Sequence, residues 1–150
     1  MNITILGTGN MAKGLASVFA AGGYDVVLGS RDEARAKDTA KALGARVKGD
    51  GLMAAANRSE VVVLAVPFDA AAETIAAAGG LAGKVLIDIS NPLTPDYMGL
   101  TVGHSTSAAE EIQKLAPKAK VVDSISINRP PVAALRSRGK LDRRFPTSTP

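Results

Sequence analysis

The run Gly7-Thr8-Gly9-Asn10-Met11-Ala12 has the residue types and spacing to hold an anion with its backbone. Gly7 can take the dihedrals of a tight turn, Gly9 has no side chain to keep a pyrophosphate from the main chain, and the small Ala12 lets a following helix pack close to its strand. A helix that begins here offers free N–H groups and the positive end of its dipole to phosphates. Gly-rich turns also end strands for purely structural reasons, so the pattern G-x-G-x-x-A takes its meaning from its surroundings.

Gly29-Ser30-Arg31-Asp32 supplies those surroundings. In dinucleotide-binding folds an acidic residue near this place takes the ribose 2′-hydroxyl, whereas an Arg accommodates a 2′-phosphate. Ser30 gives a hydroxyl and Arg31 a planar cationic fork suited to phosphate, so the pair predicts NADP rather than NAD. Plainer readings stand beside this one. Ser30 can N-cap the next helix with Arg31 solvated, and Asp32 can be a first-turn helix acid or a hydroxyl acceptor.

The elements that must position these groups follow from the hydrophobic pattern. Ile3-Thr4-Ile5-Leu6 reads as a buried strand, residues 11–19 as a helix and Tyr24-Asp25-Val26-Val27-Leu28 as a second strand. Residues 32–43 have helical spacing, with Ala34, Ala40 and Leu43 expected to face inward and Gly44 to end the helix. A short strand is expected around Ala45-Arg46-Val47 and a short helix over 51–57. Residues 60–67 form the clearest buried strand, nearly continuous in β-branched residues as a central parallel strand should be, and stopped by Pro67. An Ala-rich helix over about 69–78 breaks at Gly79-Gly80, and a strand over 84–89 leads into the turn-rich loop Ser90-Asn91-Pro92-Leu93-Thr94-Pro95. Ser107 and Glu110 have the spacing of a capping box for a helix ending at Ala116-Pro117, and Lys120-Val121-Val122-Asp123 is a sixth strand. Strands alternating with helices at this rhythm predict an α/β fold, a Rossmann-type doubly wound parallel sheet of about six strands with helices on both faces.

Composition narrows the class further. A chain of 150 residues that is 46% hydrophobic and 21% charged suits one folded domain with a real core. The absence of Cys excludes disulfides and thiolate metal sites, and fits a cytoplasmic protein. Met1 leads straight into a strand, so no signal peptide is expected, and no apolar run reaches membrane-spanning length. The net charge of +4 invites a nucleic-acid reading, but Arg129, Arg136, Arg138, Lys140, Arg143 and Arg144 stand against Asp142 alone in the last stretch. The basicity therefore belongs to the tail rather than to a groove, and neither nucleic acid nor membrane is expected as a partner. Residues 1–125 are read as the dinucleotide domain and 126–150 as a basic, Pro- and Arg-rich mobile tail.

With Gly7 to Ala12, Gly29-Ser30-Arg31, Leu64-Ala65-Val66-Pro67 and Asp88-Ile89-Ser90-Asn91-Pro92-Leu93 in order, the chain resembles the NADPH-dependent reductases of the deazaflavin coenzyme F420. More widely it is similar to the group that holds the N-terminal domains of pyrroline-5-carboxylate reductases and of membrane metalloreductases. The resemblance covers about residues 1–125. It implies a domain holding NADP(H), with a deazaflavin or flavin beside the nicotinamide for direct hydride transfer. It also implies that Thr8, Gly9, Asn10 and Met11 surround the pyrophosphate, and that Ser30 and Arg31, with Arg35 in reach, take the 2′-phosphate. Ala65, Val66 and Pro67 would lie along the nicotinamide ribose and ring, with Asn91 and Pro92 closing the other side.

Such a transfer needs no protein nucleophile or metal, because the cofactors carry the chemistry and the protein orients them. No catalytic residue and no metal ligand is therefore nominated. His104 sits in a loop that could reach the second substrate or is a polar loop position, and Lys13 lends electrostatic help at the phosphate turn or is an exposed helix residue. Family members continue past the sixth strand with elements that build the acceptor pocket and much of the dimer contact, where this chain has its Arg/Pro tail. Two expectations follow: a small-molecule redox substrate, or an NADP-binding module without turnover, such as a sensor, a subunit or a truncated remnant; the uncovered sheet edge in addition predicts homo-oligomerisation or coverage by the tail.

Overall fold

A computed structural model of the chain describes residues 1–90 and 107–123. Six strands, β1 (Asn2–Leu6), β2 (Asp25–Ser30), β3 (Val47–Gly51), β4 (Val61–Leu64), β5 (Val85–Asp88) and β6 (Lys120–Asp123), form one parallel sheet in the order β3-β2-β1-β4-β5-β6. Helices α1 (Asn10–Ala21), α2 (Glu33–Leu43), α3 (Leu52–Ala56), α4 (Ala71–Ala77) and α5 (Ala108–Leu115) make the crossovers. The order reverses direction at β1, so the chain leaves the sheet in opposite senses from β1 and β4. Ligand crevices of open α/β sheets form at such a switch, outside the carboxyl ends of the strands.

The strands form because their residues alternate between two apolar layers. Ile3 and Ile5 join Ala12, Ala16, Val26, Leu28, Ala40 and Val63 under α1 and α2. Leu6, Val62 and Leu64 point the other way, toward Leu52, Ala71, Ile75, Leu86 and Ile112 under α3, α4 and α5. Thr4 lies fully buried on that second face, where its hydroxyl donates to the Ala55 carbonyl at 2.7 Å and shares a further bond with Ser59. A buried hydroxyl so satisfied ties α3 to the central strand at no net polar cost.

Several boundaries differ from the sequence reading, each for a tertiary reason. The third strand lies at 47–51 rather than around residue 46, because Val47 to Gly51 pair in register with Val26 to Ser30. Gly49 is poor in strand propensity, but α2 crosses so close that a Cβ there would stand 2.2 Å from the Ala36 carbonyl carbon. In α2 the inward residues are Ala36 and Ala40, with Leu43 half-buried, while Ala34 faces water. Positions 36, 40 and 43 share one helical face, and position 34 lies most of half a turn away from it. Asp32, rather than Ser30, is the N-cap of α2, its carboxylate accepting the Arg35 N–H at 3.0 Å, and the acid of the first turn is Glu33. The Ser107–Glu110 capping box and the sixth strand are present as expected. The strand expected to reach Pro67 leaves the ladder after Leu64, and the helix after it begins with a 3-10 turn over Phe68–Ala70.

The loop residues Asn91 and Pro92, His104 and the tail 126–150 lie outside the described residues. Among those described, no helix is long and apolar enough to cross a membrane.

Candidate functional site

The carboxyl ends of β1, β2 and β4 open onto a cleft of about 300 Å³. It brings together Gly7, Thr8, Gly9, Ser30, Arg31, Arg35, Ala65, Val66 and Pro67, residues drawn from three separate stretches of sequence. Gly7 forms the floor. Its N–H donates to the Gly29 carbonyl at 2.8 Å, and the Ala65 N–H donates to the Leu6 carbonyl at 2.9 Å, so the three strand ends are stitched side by side. Gly7 has φ +131°, and a Cβ there would meet the Ala65 carbonyl oxygen at 2.3 Å. Only glycine fits such a place.

Gly9 differs in kind. Its backbone is extended, with φ −75° and ψ −176°, and a Cβ built on it would find no atom within 4 Å. The space beside it is open, as a ligand approaching the main chain requires. Gly9 is also the N-cap of α1, with no side chain capping the helix and no acidic residue in its first turn. The first N–H groups of a twelve-residue helix are therefore left without an intrahelical or side-chain acceptor. Asn10 and Met11 stand in that first turn, both exposed and beside the cleft rather than lining it, and Lys13 is exposed one turn on.

At the β2 end the polar groups gather. The half-buried Ser30 accepts the Asp32 N–H at 3.1 Å through its hydroxyl oxygen, which leaves the hydroxyl proton free to donate. Arg31 reaches across the mouth of the cleft and donates from Nη1 to Glu73 Oε1 at 2.8 Å. Arg35 enters from the first turn of α2, and among the described residues its guanidinium has no ion-pair partner. Two guanidinium groups, one hydroxyl donor and a bare helix N-terminus around one cleft suit a ligand with anionic groups at two points. The donor set fits a phosphorylated dinucleotide.

Further cleft residues lie outside the predicted set. Gly29, Leu52, Ala70 and Thr74 line it, and Glu73 sits on its rim. A small residue is needed at 29 because a Cβ there would stand 2.8 Å from the Leu6 side chain and 3.0 Å from Ala55 Cβ. Leu52 and Ala70 look in sequence like ordinary core positions, and only Thr74, a buried polar residue in an Ala-rich helix, carries a local signal.

A parallel sheet in this order, with a glycine turn at its switch point, defines a Rossmann-type α/β domain. Residues 2–92 match the family described as NADP oxidoreductase, coenzyme F420-dependent, and the chain belongs to that family. It is 31% identical over 125 residues to the metalloreductase STEAP3 of Rattus norvegicus, covering 83% of this chain and 24% of that protein. It is 36% identical over 102 residues to the F420-dependent NADP reductase of Methanothermobacter marburgensis, covering 62% of this chain and 46% of that protein. A crystal structure from Arthrobacter sp., provisionally assigned as an F420-dependent NADP-reductase, superposes with a TM-score of 0.75 at 30% identity over 89% of this chain and 64% of that one. The chain thus spans less than half the length of these two curated relatives.

Proposed function

We propose that the cleft binds NADP(H) and that the protein takes part in hydride transfer between NADPH and a deazaflavin- or flavin-type acceptor. The observation that carries this reading is the joint presence, around a single cleft, of Ser30, Arg31 and Arg35 and of the uncapped start of α1. Membership of a family of NADP oxidoreductases supports it.

In this proposal the backbone at Thr8, Gly9, Asn10 and Met11 holds the pyrophosphate, and Ser30, Arg31 and Arg35 hold the 2′-phosphate. Ala65, Val66 and Pro67 bound the nicotinamide ribose, and Asn91 and Pro92 complete that end. The bound nicotinamide supplies the hydride chemistry. The chain's own residues bind, orient and exclude water, which is the protein's share in reactions of this type.

Titration calorimetry with NADPH and NADH tests the binding. Charge-assisted hydrogen bonds to phosphate contribute about 1.5–3 kcal/mol each, so Arg31→Ala is expected to weaken NADPH by about 10- to 100-fold. NADH, which has no group for Arg31 to hold, should change little. An unaltered preference for NADPH in the variant would reject the ligand assignment. Stopped-flow absorbance of NADPH with a deazaflavin or FMN then tests the acceptor, and no oxidation with either would reject that half.

Homo-oligomerisation belongs to the same proposal. Among the described residues β6 pairs on one side only, with β5, and carries Val122 at 49% exposure. Such an edge is readily covered by another copy. Light scattering should then give a dimer or larger species, whereas a monodisperse monomer at all concentrations would exclude it.

A further inference from the structure

Arg31, the guanidinium assigned above to a 2′-phosphate, already has an anionic partner. Its Nη1 lies 2.8 Å from Glu73 Oε1, and the two residues are 42 positions apart in sequence. They stand on opposite walls: Arg31 directly follows β2, and Glu73 is in the first turn of α4, next to the cleft-lining Thr74. Both side chains are nearly two-thirds exposed, so the pair is not fixed by packing and can exchange partners. Arg35, at the same end, has no such partner among the described residues.

We propose that Glu73 is a specificity-determining residue: its carboxylate holds Arg31 in the cofactor-free protein and must yield it to a 2′-phosphate, which limits how strongly NADPH is preferred over NADH. The inference rests on the reading of the cleft as an NADP(H) site. The physical basis is competition. A guanidinium engaged by a carboxylate is only fractionally available, and apparent affinity falls by the available fraction. After exchange, the displaced carboxylate stays near the phosphate on α4, and like charges at that distance repel. Neither effect touches NADH, whose 2′-hydroxyl leaves the Arg31–Glu73 pair in place. The pair therefore acts against the phosphorylated cofactor alone.

Glu73→Gln keeps the shape and removes the charge. Binding of NADPH, NADH, adenosine 2′,5′-bisphosphate and 5′-AMP is measured by calorimetry for the wild type, Glu73→Gln, Arg31→Ala and the double variant, with thermal melts to establish that each is folded. Glu73→Gln is expected to tighten NADPH and the bisphosphate by about 3- to 10-fold. NADH and 5′-AMP should stay within about twofold, and the gain should shrink in the Arg31→Ala background, because the competition has lost its object. Unchanged or weaker NADPH binding in folded Glu73→Gln, or an equal gain for NADH, would overturn the role of Glu73 while leaving the cofactor reading intact. A wild type that binds neither dinucleotide, or that favours NADH, would overturn the cofactor reading and this inference with it.

Discussion

Gly7→Ala is expected to destabilise the protein by about 3–5 kcal/mol, the sum of a non-glycine residue held at unfavourable dihedrals and of overpacking. Both contributions are visible at the site. Gly7 has φ +131°, and the new Cβ would stand 2.3 Å from the Ala65 carbonyl oxygen and 3.0 Å from its carbon. Those are backbone atoms of the neighbouring strand end, so no side-chain rotation relieves the overlap. Either the Ala65 N–H loses the Leu6 carbonyl or Gly7 loses the Gly29 carbonyl, and the cleft opens at its floor. Domains of this size lose about 2–4 °C of melting temperature per kcal/mol, so a drop of about 10 °C is expected in a thermal melt. A melt within a degree or two of wild type would mean that the strand ends are not packed as described.

Gly9→Ser, two residues on, should behave oppositely. Its backbone is extended and its Cβ position is open, and Ser is a favourable N-cap, so stability should hold or rise by a few tenths of a kcal/mol. The same hydroxyl would occupy the first N–H groups of α1 and the space beside them. NADPH binding should then fall by about 10- to 100-fold, the worth of one hydrogen bond to a charged group. One glycine is thus required by the fold and the other by the proposed ligand, although sequence gives both the same letter.

What could be read in the sequence was what depends on neighbours in the chain. The opening strand, its turn and α1 follow from a few consecutive residues, and the capping box at Ser107 and Glu110 is a spacing of three. β4 was legible because a strand buried on both faces is apolar throughout. The position of β3 is not legible, because Gly49 and Gly51 argue locally against a strand, and the crossing of α2 that requires a glycine is a tertiary event. The sequence points to Ala34 where the structure buries Ala36, because in an Ala-rich helix several faces look equally apolar. Motifs mark the cleft residues at the ends of β1, β2 and β4. They do not mark Leu52, Ala70, Thr74 and Glu73, because nothing local in α3, the 3-10 turn or α4 says that these residues face the end of β2.

Gly49→Ala should produce a loss comparable to that of Gly7→Ala from a position outside the cleft. The added Cβ would lie 2.2 Å from the Ala36 carbonyl carbon, 2.3 Å from its oxygen and 2.3 Å from the Lys37 nitrogen. Three atoms of the helix backbone cannot turn aside, so α2 must lift from the sheet by roughly an ångström to restore ordinary contact. That movement loosens Ala36 and Ala40, both buried against the sheet, and a gap of this size already forfeits a quarter to a half of the dispersion contact there. The expected cost is about 3–5 kcal/mol, read as a lower urea midpoint with an unchanged slope. The displacement should also reach the proposed ligand, because α2 carries Arg35 in its first turn and Asp32 caps it. Misplacing a positioning group by an ångström can cost about 100-fold in reactivity, and affinity should follow in the same direction. Measured at low temperature, where the variant is still folded, NADPH binding should weaken more than NADH binding, since Arg35 serves only the 2′-phosphate. Equal weakening of both would place Arg35 outside that contact, and a wild-type urea midpoint would show that α2 does not rest on Gly49.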